Sequence, residues 1–362
     1  MATHDIQQGF GLRLRRLRER AGLSLGDLQA KLGDSLSRQA IHKYEKGKAM
    51  PSSANLIQLC DALQVEPDDL LAPSPRELQA VEFRRQAKFS AASQRRLRGA
   101  LEIEFERLHA LNEILGLRPK FKPPLQDFGT VATPADAERA AERLRKTWDL
   151  GHDAIPSLVT LLEAHGIHVH LESQNLPFYG ASGRSGDIPI IVLNTHPEQT
   201  DPVRLRFTAA HELGHLILRL KPGLPARTQE ALCHRFAGAL LMPAVTLQQE
   251  LGGAHRTKLA YYELIALKER YGLSLAALYQ RAEQVGIIDK AQLKAWHLQR
   301  NRAGWRQDEP GDYQANETPT LFRQHLLRAL AEEAVTVSKA AALANQPISE
   351  IRRWLKPSKA HP

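Results

Sequence analysis

Cysteine is nearly missing from this 362-residue chain: there are two, Cys60 and Cys233, and each falls within an apolar helical pattern. Two cysteines so placed make no disulfide framework, which suits a reducing compartment. No apolar run approaches the ~20 residues that span a bilayer. The opening MATHDIQQGF also lacks the charged-then-apolar order of a secretory signal. A soluble cytoplasmic protein with no membrane partner is expected. Acidic charge is in deficit too, with 40 Asp and Glu against 49 Lys and Arg and a net charge of +9. That excess favours an anionic partner such as nucleic acid, the placement of the charge deciding the matter. The length allows two or three domains, each with its own core.

What the chain does carry is the stretch Phe207 to Pro243, FTAAHELGHLILRLKPGLPARTQEALCHRFAGALLMP. In His211-Glu212-Leu213-Gly214-His215 two histidines stand four apart, so on a helix they share a face and can grip one zinc ion. Glu212 lies one step round that helix, where a carboxylate can take a proton from water without being a ligand. A catalytic zinc wants a third protein ligand, and Glu230, Cys233 and His234 all qualify on the next apolar helix, expected from about Thr228 and stopped near Pro243. Glu230 is the expected third ligand, because His2Glu is a common hydrolytic set. His234 is expected beside the ligands or as an oxyanion donor. Cys233, if it reached the ion, would hold the enzyme latent in place of water.

The run RFTAAHELGHLIL followed by EALCHRFAGALLMP resembles the ImmA/IrrE family of zinc metallopeptidases. The resemblance implies a zincin-like domain with one Zn2+ per chain, His211, His215 and Glu230 as its ligands and Glu212 as the catalytic glutamate. It implies a repressor- or antitoxin-like protein as substrate. Where many members have Asn or Asp four residues after the ligand glutamate, this chain has His234, which leaves His234 open as a ligand.

From Leu12 to Leu71 the pattern gives five short helices, with Ser24 capping the second and Ser37 opening the third. A short helix presenting Ser37, Arg38, Gln39, His42 and Lys43 after a turn fits a major groove, where Arg and Gln can read base edges. Arg13, Arg15, Arg16, Arg18 and Arg20 would give the first helix a surface for phosphates. The segment from LSLGDLQAKLG to EPDDLL looks like an XRE-type (Cro/repressor-like) helix-turn-helix domain, which implies double-stranded DNA as a partner. Leu25 stands where such domains usually have Gln, and Asp34-Ser35-Leu36 lengthens the turn.

Pro73 and Pro75 open a connector that closes at Pro123-Pro124, and Phe105, Leu108, Leu111, Ile114 and Leu115 give it a helical stripe. That helix is expected to pair with a second copy, as a homodimer, or to pack on the peptidase. Thr133-Pro134 opens a further helix, SLVTLLEAHG forms another, and Ile167, Val169 and Leu171 alternate as a strand with His168 and His170 on its other face. Residues 180–186 read as a Gly- and Ser-rich turn before the strand IPIIVLN. Tyr261 or Tyr262 could serve an oxyanion. VTVSKAAALANQPISEIRRWL near the end has a helix-turn-helix rhythm, read first as packing or dimerisation and second as a DNA contact.

The expected fold is mainly α with a small sheet (α+β), an all-α head followed by the peptidase. Its segments are the head over 8–72, the connector over 73–124, the peptidase over 125–300 and a helical region over 301–362. The function expected is that of a DNA-binding regulator with zinc endopeptidase activity in a stress or mobile-element response. The second reading is a non-proteolytic regulator that uses the peptidase fold as a sensor or dimerisation platform.

Overall fold

The computed structural model describes residues 2–71, 91–118, 121–173, 178–196, 201–253, 255–305, 309–314 and 316–356. The expected prolines at the start of the connector, Pro73 and Pro75, lie outside these. The four consecutive segments expected from the sequence fold into two compact units, one of 1–118 with 320–362 and one of 119–319. The helical region at the end therefore belongs with the head and connector.

The first unit begins with α1 (Ala2–Arg20), α2 (Leu25–Leu32), a 3-10 turn (Gly33–Ser35), α3 (Arg38–Glu45), α4 (Ser53–Leu63) and α5 (Pro67–Leu71). Ser24 and Asp27 cap α2 reciprocally, each side chain meeting the other residue's backbone N–H. The long turn is absorbed by the 3-10 turn, after which Leu36 drops into a core with Phe10, Leu14, Leu28, Ile41 and Leu59.

The connector helix, α6 (Ala91–Ile114), lies along α1. A Cβ at Gly99 would collide with the α1 backbone at Arg16 and Arg20, so glycine sets how closely the two helices approach. Three of the five α1 arginines, Arg13, Arg16 and Arg18, turn out to have a different job from the one expected. Arg16 is 3% exposed and pairs with Glu102 and Glu106 of α6, Arg13 pairs with Glu106 at 2.8 Å, and Arg18 pairs with Glu45 at 2.6 Å. A charge buried to that degree must be paired, so these side chains join helices instead of facing phosphates.

In the second unit, α7 (Pro134–Thr147) starts from the reciprocal cap of Thr133 with Asp136. α8 (Leu158–Ala164) then leads into a three-stranded sheet in the order β1 (His168–Glu172), β3 (Ile188–Asn194), β2 (Gly180–Ser185). β1 runs parallel to β3 and β2 antiparallel to it. Every residue of β3 is buried, as a central strand with both faces covered requires. Residues 180–185 are thus a strand, not the turn expected, and the hairpin turn is reduced to Gly186 and Asp187. Glycine and serine suit β2 because it is pressed against a helix: a Cβ at Gly180 would meet the side chains of Thr208 and Glu212. α9 (Pro202–Ile217) and α10 (Ala226–Leu241) pack on each other, and α11 (Ala244–Glu250), α12 (Tyr261–Tyr271), α13 (Leu275–Gln284) and α14 (Lys290–Arg302) complete the unit.

The chain then returns to the first unit as α15 (Leu321–Ala331), α16 (Val337–Ala344) and α17 (Ile348–Trp354). Leu326, Ala329, Ala340, Leu343 and Ile351 bury against Leu111 of α6. The apolar stripe of α6 is thereby covered within its own unit by α1, α15 and α16. None of the helices among the described residues is long and apolar enough to cross a membrane.

Candidate metal centre and nucleic-acid interface

α9 is opened by Asp201, whose side chain accepts from Arg204 N at 2.8 Å, and by Pro202 in its first turn. His211 and His215 therefore stack on one face, ring centroids 4.7 Å apart and edge to face. Glu230, on the second turn of α10, reaches both rings. Its Oε2 lies 3.2 Å from His211 Nε2 and its Oε1 3.2 Å from His215 Nε2, while the two Nε2 atoms are 3.1 Å apart. Among the described residues, these three form the group whose ligand atoms could hold a metal ion. Ligands on bonds of ~2.0–2.1 Å to a tetrahedral zinc are separated by roughly 3.3 Å, so the three atoms already stand about as far apart as three corners of such a site. The His211 side chain is 9% exposed and that of Glu230 54%, which closes the site on the α9 side and leaves it open to solvent on the other. A catalytic zinc site needs that opening.

Two ring nitrogens facing one another across a carboxylate call for a cation. Burial disfavours a charged His215, but hydrogen bonds with Cys233 and Glu230 and the charge of Glu212 outweigh burial and raise its pKa to about 10. Hydrogen bonds from His211 and then His215 hold Glu230 well below the usual carboxylate range.

The remaining candidates are sorted by geometry. Cys233 is fully buried, and its Sγ lies 3.4 Å from His215 Nδ1, on the ring nitrogen that does not face Glu230. It backs the ring and does not stand in the water's place. His234 is exposed, its ring 4.2 Å from that of His211 and 5.8 Å from that of Phe207. It falls outside the three-ligand group. Glu212 is buried and accepts a hydrogen bond from Ser182 Oγ at 2.7 Å. Tyr261 stacks edge-on against Trp305 and Tyr262 is 77% exposed.

Two partnerships of this unit escape sequence reading. Ser182 sits in the stretch taken for a turn, and only the strand reveals that it points at Glu212. Arg206 and Glu317 are 111 residues apart, both essentially inaccessible, and paired at 2.7 Å. Glu317 also accepts from the N–H groups of Leu158 and Val159 at the start of α8, so this pair fixes the metal-centre helix to its neighbour.

In the head, Ser37 caps α3 by accepting from Ala40 N at 3.1 Å. Ile41 and Tyr44 are buried, and Ser37, Arg38, Gln39, His42 and Lys43 are all exposed together on the opposite side.

Residues 10–73 match the family described as a helix-turn-helix domain, and residues 162–283 match an IrrE N-terminal-like domain. The chain is a fusion of these two domains. No curated protein matches it. The IrrE-like domain is metallopeptidase-like, and both α9 and α10 lie inside its matched residues. The helix-turn-helix domain supports DNA binding and holds all five exposed residues of the α3 surface.

Proposed function

We propose that this chain is a DNA-binding regulator whose IrrE-like domain hydrolyses a peptide bond in a repressor- or antitoxin-like protein, within a cytoplasmic stress or mobile-element response. One observation carries the hydrolytic part: His211, His215 and Glu230 converge from two helices with the separations a zinc ion requires, next to a buried Glu212. These three side chains would hold one Zn2+. The ion supplies Lewis-acid polarisation and stabilises developing negative charge when bound.

Glu212 takes the proton of the attacking water and passes it to the leaving amine. Ser182 holds one carboxylate oxygen in place while it does so. Among the described strands β2 has a neighbour on one side only. A substrate segment paired to the outer edge of β2 would lie beside Glu212. His234, exposed over His211, is positioned to donate to a carbonyl oxygen. Arg38 and Gln39 read base edges, with Ser37, His42 and Lys43 supporting the contact.

The test is Glu212→Gln in the full chain. Metal content should stay at one zinc per chain while cleavage is lost, with the uncleaved substrate accumulating in the proteome of cells carrying the variant. If gene control is unchanged in those cells, the domain acts as a sensor or dimerisation platform and the proteolytic reading fails.

A further inference from the structure

The end of the chain repeats the architecture of the head. In the head, Ser24 caps the eight-residue α2, whose fourth residue Leu28 is buried, and a turn leads to α3. At the end, Thr336 caps the eight-residue α16, whose fourth residue Ala340 is buried, and a turn leads to α17. The second turn has three residues, Asn345 to Pro347, the length usual for a DNA-binding helix-turn-helix. Asn345 takes the left-handed conformation that ends α16 sharply, with φ of 52°. Arg107 of α6 donates to its Oδ1 at 3.0 Å and holds the turn in place.

The match extends to the exposed face. α3 buries its fourth and seventh residues, Ile41 and Tyr44, and exposes its first, second, fifth and sixth, Arg38, Gln39, His42 and Lys43. α17 buries its fourth residue, Ile351, half-buries its seventh, Trp354, and exposes its first, second, fifth and sixth: Ile348, Ser349, Arg352 and Arg353. Such a face has the chemistry of major-groove readout: Arg for guanine, Ser as donor or acceptor to a base edge, and an apolar side chain for the thymine methyl.

Charge favours nucleic acid over a protein surface. Across 337–356 the sequence has Lys339, Arg352, Arg353 and Lys356 against Glu350 alone. All four cations are exposed. Arg353 pairs with Glu350 one turn back on the solvent-exposed surface, a contact worth little that a phosphate can displace, whereas Arg16 and Arg18 of α1 are buried on carboxylates of the same unit.

We infer that α16 and α17 form a second DNA-binding element, with Arg352 and Arg353 as its base- and phosphate-contacting residues. Both elements belong to the same compact unit, in which α6 packs on α1 and on α15 and α16. The chain therefore binds duplex DNA through two surfaces, and its site is longer than one helix-turn-helix would cover.

The experiment uses the full chain and a duplex selected from a random pool of about 40 base pairs, long enough for several helical turns. Dissociation constants are measured against salt and the site is footprinted. The R352A/R353A variant should keep the wild-type melting temperature, bind at least ~10-fold more weakly and lose one end of the footprint. Its salt slope should fall by roughly 1–2, close to one unit for each arginine that neutralises a phosphate. R352K/R353K should keep the slope while losing base selectivity, which a purely structural role would not produce. R38A/Q39A should affect the other end of the footprint, separating failure of this inference from failure of the head to bind. Unchanged affinity, slope and footprint in R352A/R353A would overturn the inference, as would a change confined to self-association or protein binding.

Discussion

Cys233 Sγ lies 3.4 Å from Nδ1 of His215, behind the ring whose Nε2 faces Glu230. A thiol there fixes which way the imidazole points and which nitrogen is available. Groups that orient a metal-binding histidine in this way typically matter 10–100-fold for affinity. Cys233→Ala should therefore lower zinc affinity by about 10-fold or more, measured by chelator competition, with little gain in turnover. Raised cleavage at undiminished affinity would instead mean that the thiol reaches the reaction path.

Ser182 and Glu212 lead to a second expectation. A hydrogen bond to a charged group contributes about 1.5–3 kcal/mol, and here the gain is orientation of the acid–base carboxylate. Ser182→Ala should reduce kcat on the order of 10-fold or more while leaving zinc content and KM nearly unchanged. Steady-state kinetics on the identified substrate, with metal analysis, decides this. An equal loss of metal would make Ser182 a structural residue only.

Metal loading should depend on pH with a definite sign. With its pKa raised to about 10 in the ion-free protein, His215 carries a proton at neutral pH that zinc must displace. Affinity should accordingly rise with pH from 7 towards 10, and titration calorimetry in buffers of different ionisation enthalpy should detect a proton released on binding. In the ion-free fold, the same elevated pKa contributes stability that is full below pH ~6.5 and is lost as pH rises through about 10. A flat pH profile would contradict the placement of that proton.

Removing Glu317 should be costly. The carboxylate pairs with the inaccessible Arg206 and accepts from two N–H groups at the start of α8. Breaking a buried pair by deleting one partner costs about 3–5 kcal/mol, so Glu317→Ala should lower the melting temperature of the IrrE-like domain sharply. Since Arg206 lies on α9, zinc affinity should fall with it. A melting curve within a degree or so of wild type would show that the cation finds another partner.

Local chemistry was legible in the sequence wherever neighbours in the chain are neighbours in space. The caps at Ser24, Ser37 and Thr133, the pairing of His211 with His215 and the buried strand 188–194 all depend on spacings within a turn or a strand, while Glu230 was legible because its helix follows α9 directly in the chain. Residues 180–185 were misread because Gly and Ser favour turns, while the reason they form a strand, the closeness of α9, is tertiary. Arg13 and Arg16 of α1 looked like part of a phosphate surface because their partners Glu102 and Glu106 come about 90 residues later. Arg206 with Glu317 is hidden for the same reason. No periodicity within a window reports a partner that distant.

The order of the two units along the chain, 119–319 set between 1–118 and 320–362, bears on how the protein can be dissected. The metallopeptidase-like part is a guest inserted within a host, tethered at both its ends. A fragment that stops at 318 or earlier would strip Leu111 of its cover from α15 to α17 and leave that end of α6 open to solvent. Excising the guest cleanly requires a linker that joins 118 to 320, so that the host keeps both halves of its fold.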